Sequence, residues 1–403
     1  MKNIIICCDG TNNQFGSNNT NVVRLVHVLN RNPNEQSIYY DPGVGTFPEP
    51  GFVSRMGKGL SDLMGLAFGL GLTRKIGEAY MFLMDHYEAG DRIYLFGFSR
   101  GAYTARALAG VLFQFGLLPA GSYNLVPYLL RLSKAINKLS EFKSEEGRKY
   151  WAITRDFRAT FARISPENAA NVHYVQLRFM GLWDTVSSVG WIWDPTHFPY
   201  TANNPCIEIT RHAVAIDERR WFFRQNLWHQ PNALSKQDVK EWWFPGVHSD
   251  VGGGYAEAEG GLWRAPFIWM VLEAHKAGLK IDSRKVREVL KKTPITPPCW
   301  ANAKHESLRW RWWLAEFLPK FSKWKGPGLH WPRIGLFRCR TIRDGALLHR
   351  SALLRLRRAP LAYRPKNLSA DFQAFVKALP KVPVTMPYRA SRTSASQQSK
   401  LGC

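Results

Sequence analysis

The sequence is short of three things: acidic residues, paired cysteines and long apolar runs. Against 55 Lys and Arg stand only 31 Asp and Glu, a formal net charge of +24. A field of that sign disfavours cationic partners and attracts anionic ones, whether nucleic acid, anionic lipid headgroups or an acidic protein. The six cysteines (Cys7, Cys8, Cys206, Cys299, Cys339, Cys403) form no CxxC pair and have no zinc spacing, which argues against a disulfide framework or a structural zinc and for a reducing compartment. No apolar stretch approaches the roughly 18 residues of a membrane span. The opening Met1-Lys2-Asn3-Ile4-Ile5-Ile6 runs straight into Asp9 and is too short for a signal-peptide core. The expected setting is therefore cytoplasmic, or peripheral on a membrane, or exported without a cleavable signal.

What is present is enough for a large core. The chain has 403 residues, 45% of them hydrophobic. Residues 4–8, Ile-Ile-Ile-Cys-Cys, are a continuous apolar run, the pattern of a buried parallel strand. Further strands are expected at 37–40, 92–96 and within 172–182. Helices are expected at 22–29, 73–89, 102–115, 261–277 and 283–290, with a helical insertion over 121–165. Strands alternating with helices predict an α/β fold with a mostly parallel sheet covered on both faces. Residues 56–72 mix glycine with large apolar residues and read as an apolar loop or a poorly formed helix, with a substrate-covering lid as the functional reading. Pro294 to Pro298 suggest a boundary. The expected organisation is a catalytic domain over 1–299, a basic Trp-rich region over 300–388 packed on it, and a disordered tail over 389–403.

The most informative segment is Arg92-Ile-Tyr-Leu-Phe-Gly97-Phe-Ser99-Arg100-Gly101-Ala102. It is a strand, then G-x-S-x-G, then a helix. Such a turn strains the serine backbone and projects its hydroxyl from the carboxyl end of the strand, while Gly97 and Gly101 admit close neighbours. Ser99 is therefore the candidate nucleophile. The backbone N–H of Arg100, at the helix start, is a candidate oxyanion donor. A serine needs a base and the base an orienting carboxylate, in chain order Ser, acid, His. Asp184 lies just past the strand ending near Leu182, and Asp194 is the weaker alternative in a Trp/Pro-rich loop. Among 11 histidines, His248 follows a short apolar strand and precedes Gly252-Gly253-Gly254. His212 begins an apolar stretch that faces a core, and His229 lacks such a loop. Asp9-Gly10-Thr11 reaches the same sheet edge. There Gly10 or Thr11 could give a second oxyanion N–H, or Asp9 could fix the loop by a hydrogen bond; spacing does not decide between them. Asp250 is a supporting residue beside His248.

Other chemistries fit less well. A strand followed by Asp9-Gly10-Thr11 hints at a haloacid-dehalogenase-type phosphatase, but Cys7 stands where that chemistry needs an Asp. Gly57-Lys58 hints at a phosphate loop, but Phe52 and Gly59 occupy the positions for its first glycine and its magnesium-binding hydroxyl. Asp9, His248 and Asp250 lack metal-ligand spacing, so neither a metal nor any other cofactor is expected.

Five motifs occur in order: Cys8-Asp-Gly-Thr-Asn12, Gly97-Phe-Ser-Arg-Gly-Ala-Tyr-Thr-Ala-Arg106, Gly181-Leu-Trp-Asp-Thr-Val186, His212-Ala-Val-Ala-Ile-Asp-Glu-Arg-Arg220 and Trp243-Phe-Pro-Gly-Val-His-Ser-Asp-Val-Gly-Gly-Gly-Tyr255. Together they resemble the α/β hydrolases that include the type VI secretion phospholipase effectors. Leu347-Leu-His-Arg-Ser-Ala to Tyr363-Arg-Pro-Lys-Asn-Leu also resembles that family's ending. Cys8 departs from the aromatic residue more usual there. The resemblance implies an α/β-hydrolase fold and a Ser99–Asp184–His248 triad.

From Trp300 to Cys403 there are 21 Lys and Arg against 4 Asp and Glu; the rest of the chain carries 34 against 27. Within this ending, residues 308–325 interleave aromatic and basic side chains, a composition suited to a bilayer surface and, less well, to nucleic acid. The expected activity is serine ester hydrolysis through an acyl-enzyme, with glycerophospholipid as the favoured substrate. The alternatives are an esterase for small esters or thioesters, and a catalytically idle anion- or membrane-binding protein. Expected partners are the ester substrate, an anionic membrane surface and, for an effector, a secretion-apparatus or immunity protein.

Overall fold

Alternate residues of the first strand go to opposite sides of a sheet, as a pleated strand requires. In β1 (Asn3–Cys8) Ile4, Ile6 and Cys8 enter one apolar cluster, while Ile5 and Cys7 enter another. The computed structural model describes residues 1–10, 16, 18–43, 60–135, 145–163, 175–186, 198–228, 236–256, 259–291, 299–308, 316, 320–321, 332–333, 337–358 and 363–389.

After β1 come α1 (Asn21–Val28), β2 (Gln36–Asp41), α2 (Leu60–His86), β3 (Arg92–Phe98), α3 (Arg100–Phe115), α4 (Val126–Ala135) and α5 (Glu145–Phe161). Then follow β4 (Leu177–Trp183), β5 (Ile207–Ala215), β6 (Asp238–Phe244), α6 (His248–Gly252), α7 (Arg264–Lys276) and α8 (Ser283–Lys291). The C-terminal part adds β7 (Lys320–Phe321), β8 (Pro332–Arg333), β9 (Leu347–His349), α9 (Arg350–Arg358), α10 (Ala370–Ala378) and β10 (Thr385–Pro387). Eight strands form one sheet in the order β10-β9-β6-β5-β4-β3-β1-β2, and β7 pairs with β8 apart from it. Every pairing in the large sheet is parallel except β10 with β9. This is the mostly parallel sheet that the alternating pattern predicts, in the α/β arrangement that the resemblance implies.

One face of the sheet is covered by α2, α3 and α4, whose Ile76, Tyr80, Leu108, Leu112 and Leu129 pack on Ile4, Leu95 and Met180. The other carries α1, α7 and α8, with Leu25, Phe267 and Met270 against Ile5, Phe96 and Phe179. Burying each such side chain stabilises the fold by about 1.5–3 kcal/mol. Helix α3 is the central one: 14 of its 16 residues are buried, so its small residues Gly101, Ala102, Ala105 and Ala109 set how near it lies to the sheet.

Of the two readings of residues 56–72, loop or helix, the described part is helical: α2 runs unbroken from Leu60 to His86. Each glycine costs a helix roughly 1 kcal/mol, but burial of Leu72, Ile76, Ala79 and Tyr80 anchors the following turns. Residues 56–59 lie outside the described residues. Beyond residue 299 the described residues return to the same sheet. Strand β9 pairs in parallel with β6, and Leu348, Leu353, Leu356, Phe372 and Val376 form a third cluster with Val214, Ile216 and Trp243. The C-terminal region thus continues the sheet. Most of 308–325 and all of 390–403 fall outside the described residues. Among those described, no helix is long and apolar enough to cross a membrane.

Candidate active site

The chain passes from β1 outward to β2, then returns to place β3 on the other side of β1. Parallel sheets bind ligands at the carboxyl edge beside such a switch. Cys8 is level with Gly97, Phe98 with Trp183, Trp183 with Ala213, and Ala215 with Phe244. The loops carrying Asp9, Ser99, Asp184, Glu218 and His248 therefore leave one edge side by side.

Ser99 joins β3 to α3 at φ 59°, ψ −123°, a conformation L-residues adopt only under constraint. The constraint comes from the flanking glycines. A Cβ on Gly101 would lie 2.2 Å from the Cys8 carbonyl oxygen, and one on Gly97 would lie 2.5 Å from Ala102 Cα. Only hydrogen at these positions lets α3 start directly over the ends of β1 and β3. The Ser99 N–H donates to the Trp183 carbonyl at 3.1 Å.

Ser99 Oγ lies 2.8 Å from His248 Nε2, and His248 Nδ1 lies 2.6 Å from Asp184 Oδ2. All three are buried. The imidazole lies between the Phe98 and Phe223 rings, with centroids 4.6 and 4.9 Å away. Burial lowers the His248 pKa below its ordinary value although Asp184 pulls it upward, so the ring is neutral near pH 7. With Nδ1–H donated to Asp184, Nε2 is an acceptor facing the serine hydroxyl.

Asp184 itself sits at φ 40°. Its Oδ1 accepts from the Ala215 N–H at 2.9 Å and from Arg340 Nη1 at 2.5 Å; its Oδ2 accepts from Arg340 Nη2 at 2.9 Å. Burial alone would raise this carboxyl, but the charge of Arg340 and the His248 hydrogen bond hold it well below the usual carboxylate range. Glu218 is the second buried carboxylate. It accepts from the His248 N–H at 3.1 Å, from Arg220 Nε and Nη2 at 2.9 and 3.0 Å, and from Ser307 Oγ at 2.9 Å. Burial opposes its ionisation too, yet the hydrogen bond and charge of Arg220 bring its pKa down to about 2. Two carboxylates and two guanidinium groups around a neutral imidazole balance in charge, which is how ionised groups persist out of water.

In the Asp9 loop, Asp9 accepts from Thr20 Oγ1 at 2.6 Å, Tyr40 Oη at 3.0 Å and the Gly10 N–H at 2.7 Å. Asp9 thus fixes the start of the loop, and the Gly10 N–H is bonded to that carboxylate. Thr11, Asp194 and His229 lie outside the described residues. Arg100 is the first residue of α3, where backbone N–H groups have no intrahelical acceptor. Asp250 caps α6 by accepting from the Val247 N–H at 3.0 Å, and its Oδ1 holds His305 Nδ1 at 2.6 Å. His212 faces the core: Nδ1 lies 2.7 Å from Glu241, and Nε2 accepts the Thr185 N–H at 3.2 Å. Among the described residues no three His, Cys, Asp or Glu gather as a metal would need. Sequence reasoning assigned no role to Glu218 or Arg340. Glu218 lies in the His212–Arg220 motif, whereas Arg340 carries no local signal at all.

The sheet and the strained serine turn define an α/β-hydrolase-like protein. A family model described as the catalytic domain of type VI secretion system, Tle1-like phospholipase effectors matches residues 2–273, and the chain belongs to that family. An uncharacterized protein of Saccharomyces cerevisiae is 38% identical over 232 residues, 56% of this chain and 32% of the yeast protein. An uncharacterized protein from Pseudomonas aeruginosa of known crystal structure is similar at 20% identity and a TM-score of 0.38, over 70% of this chain and 46% of the other. The Tle1 effector, solved bound to the VgrG spike of the type 6 secretion system, is similar at 19% identity and a TM-score of 0.33, over 65% of this chain and 52% of the effector. The chain thus spans about a third of the yeast relative's length and about half of each solved chain.

Proposed function

We propose that the protein is a serine ester hydrolase that cleaves glycerophospholipid. The observation that carries the reading is the unbroken line of hydrogen bonds from Ser99 Oγ through His248 to Asp184. In this reading His248 Nε2 takes the hydroxyl proton as Ser99 Oγ attacks the acyl carbonyl carbon. The Arg100 N–H, at the start of α3, stabilises the developing oxyanion. The same proton then passes to the departing alkoxide, leaving an acyl-serine. Water attacks that ester, again giving its proton to His248, and the fatty acid leaves as Ser99 recovers its hydrogen. Asp184 orients the ring and stays ionised throughout.

The lipid substrate is supported by family membership and by the basic balance of the chain, which suits anionic headgroups. Contact with an anionic membrane surface and a secretion-apparatus partner belong to the same proposal. Fatty-acid release from mixed anionic phospholipid vesicles, wild type beside Ser99→Ala, tests it. Release that vanishes in the variant supports the phospholipase, and the product reveals the bond cut. A folded wild type that releases nothing sinks the phospholipid assignment, and hydrolysis of small esters or thioesters becomes the reading to pursue.

A further inference from the structure

All three residues of the hydrogen-bonded set lie within the stretch matched by the family model, residues 2–273. The group that faces the far side of Asp184 does not. Arg340 comes from the C-terminal region, between β8 and β9, and is 6% exposed. Its two terminal nitrogens take one oxygen each of Asp184, at 2.5 and 2.9 Å. The same nitrogens donate to the Ala215 carbonyl at 3.1 Å and the Phe223 carbonyl at 2.5 Å. Those carbonyls lie at the last residue of β5 and in the loop after it, whose Phe223 ring lies against His248. The Arg340 carbonyl is in turn held by Asn367 Nδ2 at 3.1 Å, and Asn367 also holds the Ile216 carbonyl at 2.9 Å. A planar guanidinium fixed at both ends leaves the carboxylate one orientation.

Two neighbours repeat the pattern. Ser307 hydrogen-bonds Glu218, which holds the His248 backbone, and His305 hydrogen-bonds Asp250, which caps the helix that His248 begins. The C-terminal region therefore reaches each loop on the acid and base side of the site.

We propose that Arg340 is a positioning residue for the reaction: it fixes the Asp184 carboxylate toward His248 Nδ1 and offsets its charge, so that the C-terminal region completes the active site. The inference rests on the hydrolase reading of Ser99, His248 and Asp184. The charged and titratable groups facing His248 are Asp184 after β4, Glu218 and Arg220 after β5, and Ser99 after β3; Asp250, on its own helix, is turned to His305. Removing Arg340 takes a cation from behind Asp184, strengthens that anion's hold on the imidazolium, and moves the acidic limb of the rate profile to higher pH.

The test uses the full chain, a soluble chromogenic ester and a serine-directed fluorophosphonate probe. Arg340→Met should lower kcat by between about 10-fold and 100-fold through misorientation, leave KM unchanged and raise the acidic limb of kcat/KM. Added methylguanidinium should restore part of the rate. Arg340→Lys keeps a charge but cannot span both oxygens, so it should fall between wild type and Arg340→Met, and it carries the test where the Met variant does not fold. Arg343→Met, which removes an exposed neighbouring charge, should match wild type. A folded Arg340 variant with the wild-type kcat and acidic limb overturns the proposal. So does a slow variant whose acidic limb is unmoved and which methylguanidinium does not relieve. A wild type that neither hydrolyses the ester nor labels at Ser99 instead overturns the hydrolase reading.

Discussion

Ser99 sits on a turn shaped by contacts between backbones, whereas Asp184, past a strand end, and His248, at a helix start, are gripped by charged side chains. Gly97 and Gly101 create the first by what they lack: any side chain would collide with main-chain atoms of Ala102, Cys8 or Asp9. Arg340, Arg220 and Glu218 create the second by pairing in a buried space. Steric constraint is local, insensitive to pH and easily written in a short motif. Ionic constraint joins residues far apart in the chain and changes with protonation.

Three substitutions should break or sharpen this contrast. The largest effect is expected from Gly101→Val. The obstructing atoms are the Cys8 and Asp9 carbonyl oxygens, at 2.2 and 2.4 Å from the new Cβ. Backbone cannot rotate aside, so the loss of unfolding free energy should be about 3 kcal/mol or more. Denaturant melts should give the same loss at neutral and at acid pH; a loss that shrinks on acidification would contradict a steric cause.

Glu218→Gln should cost about 2–3 kcal/mol near neutrality, since the folded carboxyl titrates well below its unfolded value. Here the sign matters. The folded pKa is depressed to about 2 from 4.5, so the stabilisation is complete above the unfolded pKa and disappears as pH falls towards 2. Wild type and variant should therefore converge in acid urea melts. A pH-independent gap would mean that Glu218 acts through shape and not charge.

Thr20→Ala should have the smallest effect, about 1–2 kcal/mol. It removes both the cap of α1, where Thr20 Oγ1 accepts from the Val23 N–H at 3.2 Å, and a hydrogen bond to Asp9. Thermal melts measure the loss. An unchanged melting temperature would show that neither the cap nor this bond is needed to hold the Asp9 loop.

The same contrast explains what could be read from the amino acids. The serine turn, β1 and α3 were legible because glycine spacing and apolar runs record backbone sterics and burial directly. Asp184 and His248 were legible because each follows an apolar strand. Strand β5 was less so: Arg211 and His212 interrupt its apolar pattern, and only the fold pairs them with Asp238, Glu273 and Glu241. Strands β9 and β10 have three residues each, too few for any period. The helical backbone over 60–72 was only half legible, because glycine among large apolar residues left loop and poorly formed helix both open. Arg340 was indistinguishable from the other 20 basic residues beyond Trp300, because nothing in its neighbourhood encodes a carboxylate located 156 positions earlier.

That separation has a consequence for how the protein comes into being. During synthesis Ser99, Asp184 and His248 emerge well before Arg340, and β9 can join β6 only after residue 349 exists. A nascent or truncated chain ending short of Arg340 would hold Ser99, His248 and Asp184, yet lack the guanidinium that grips the Asp184 carboxylate. The hydrogen-bonded set would thus be completed late, when the last quarter of the chain docks, and the site would stay unfinished while the polypeptide was still incomplete.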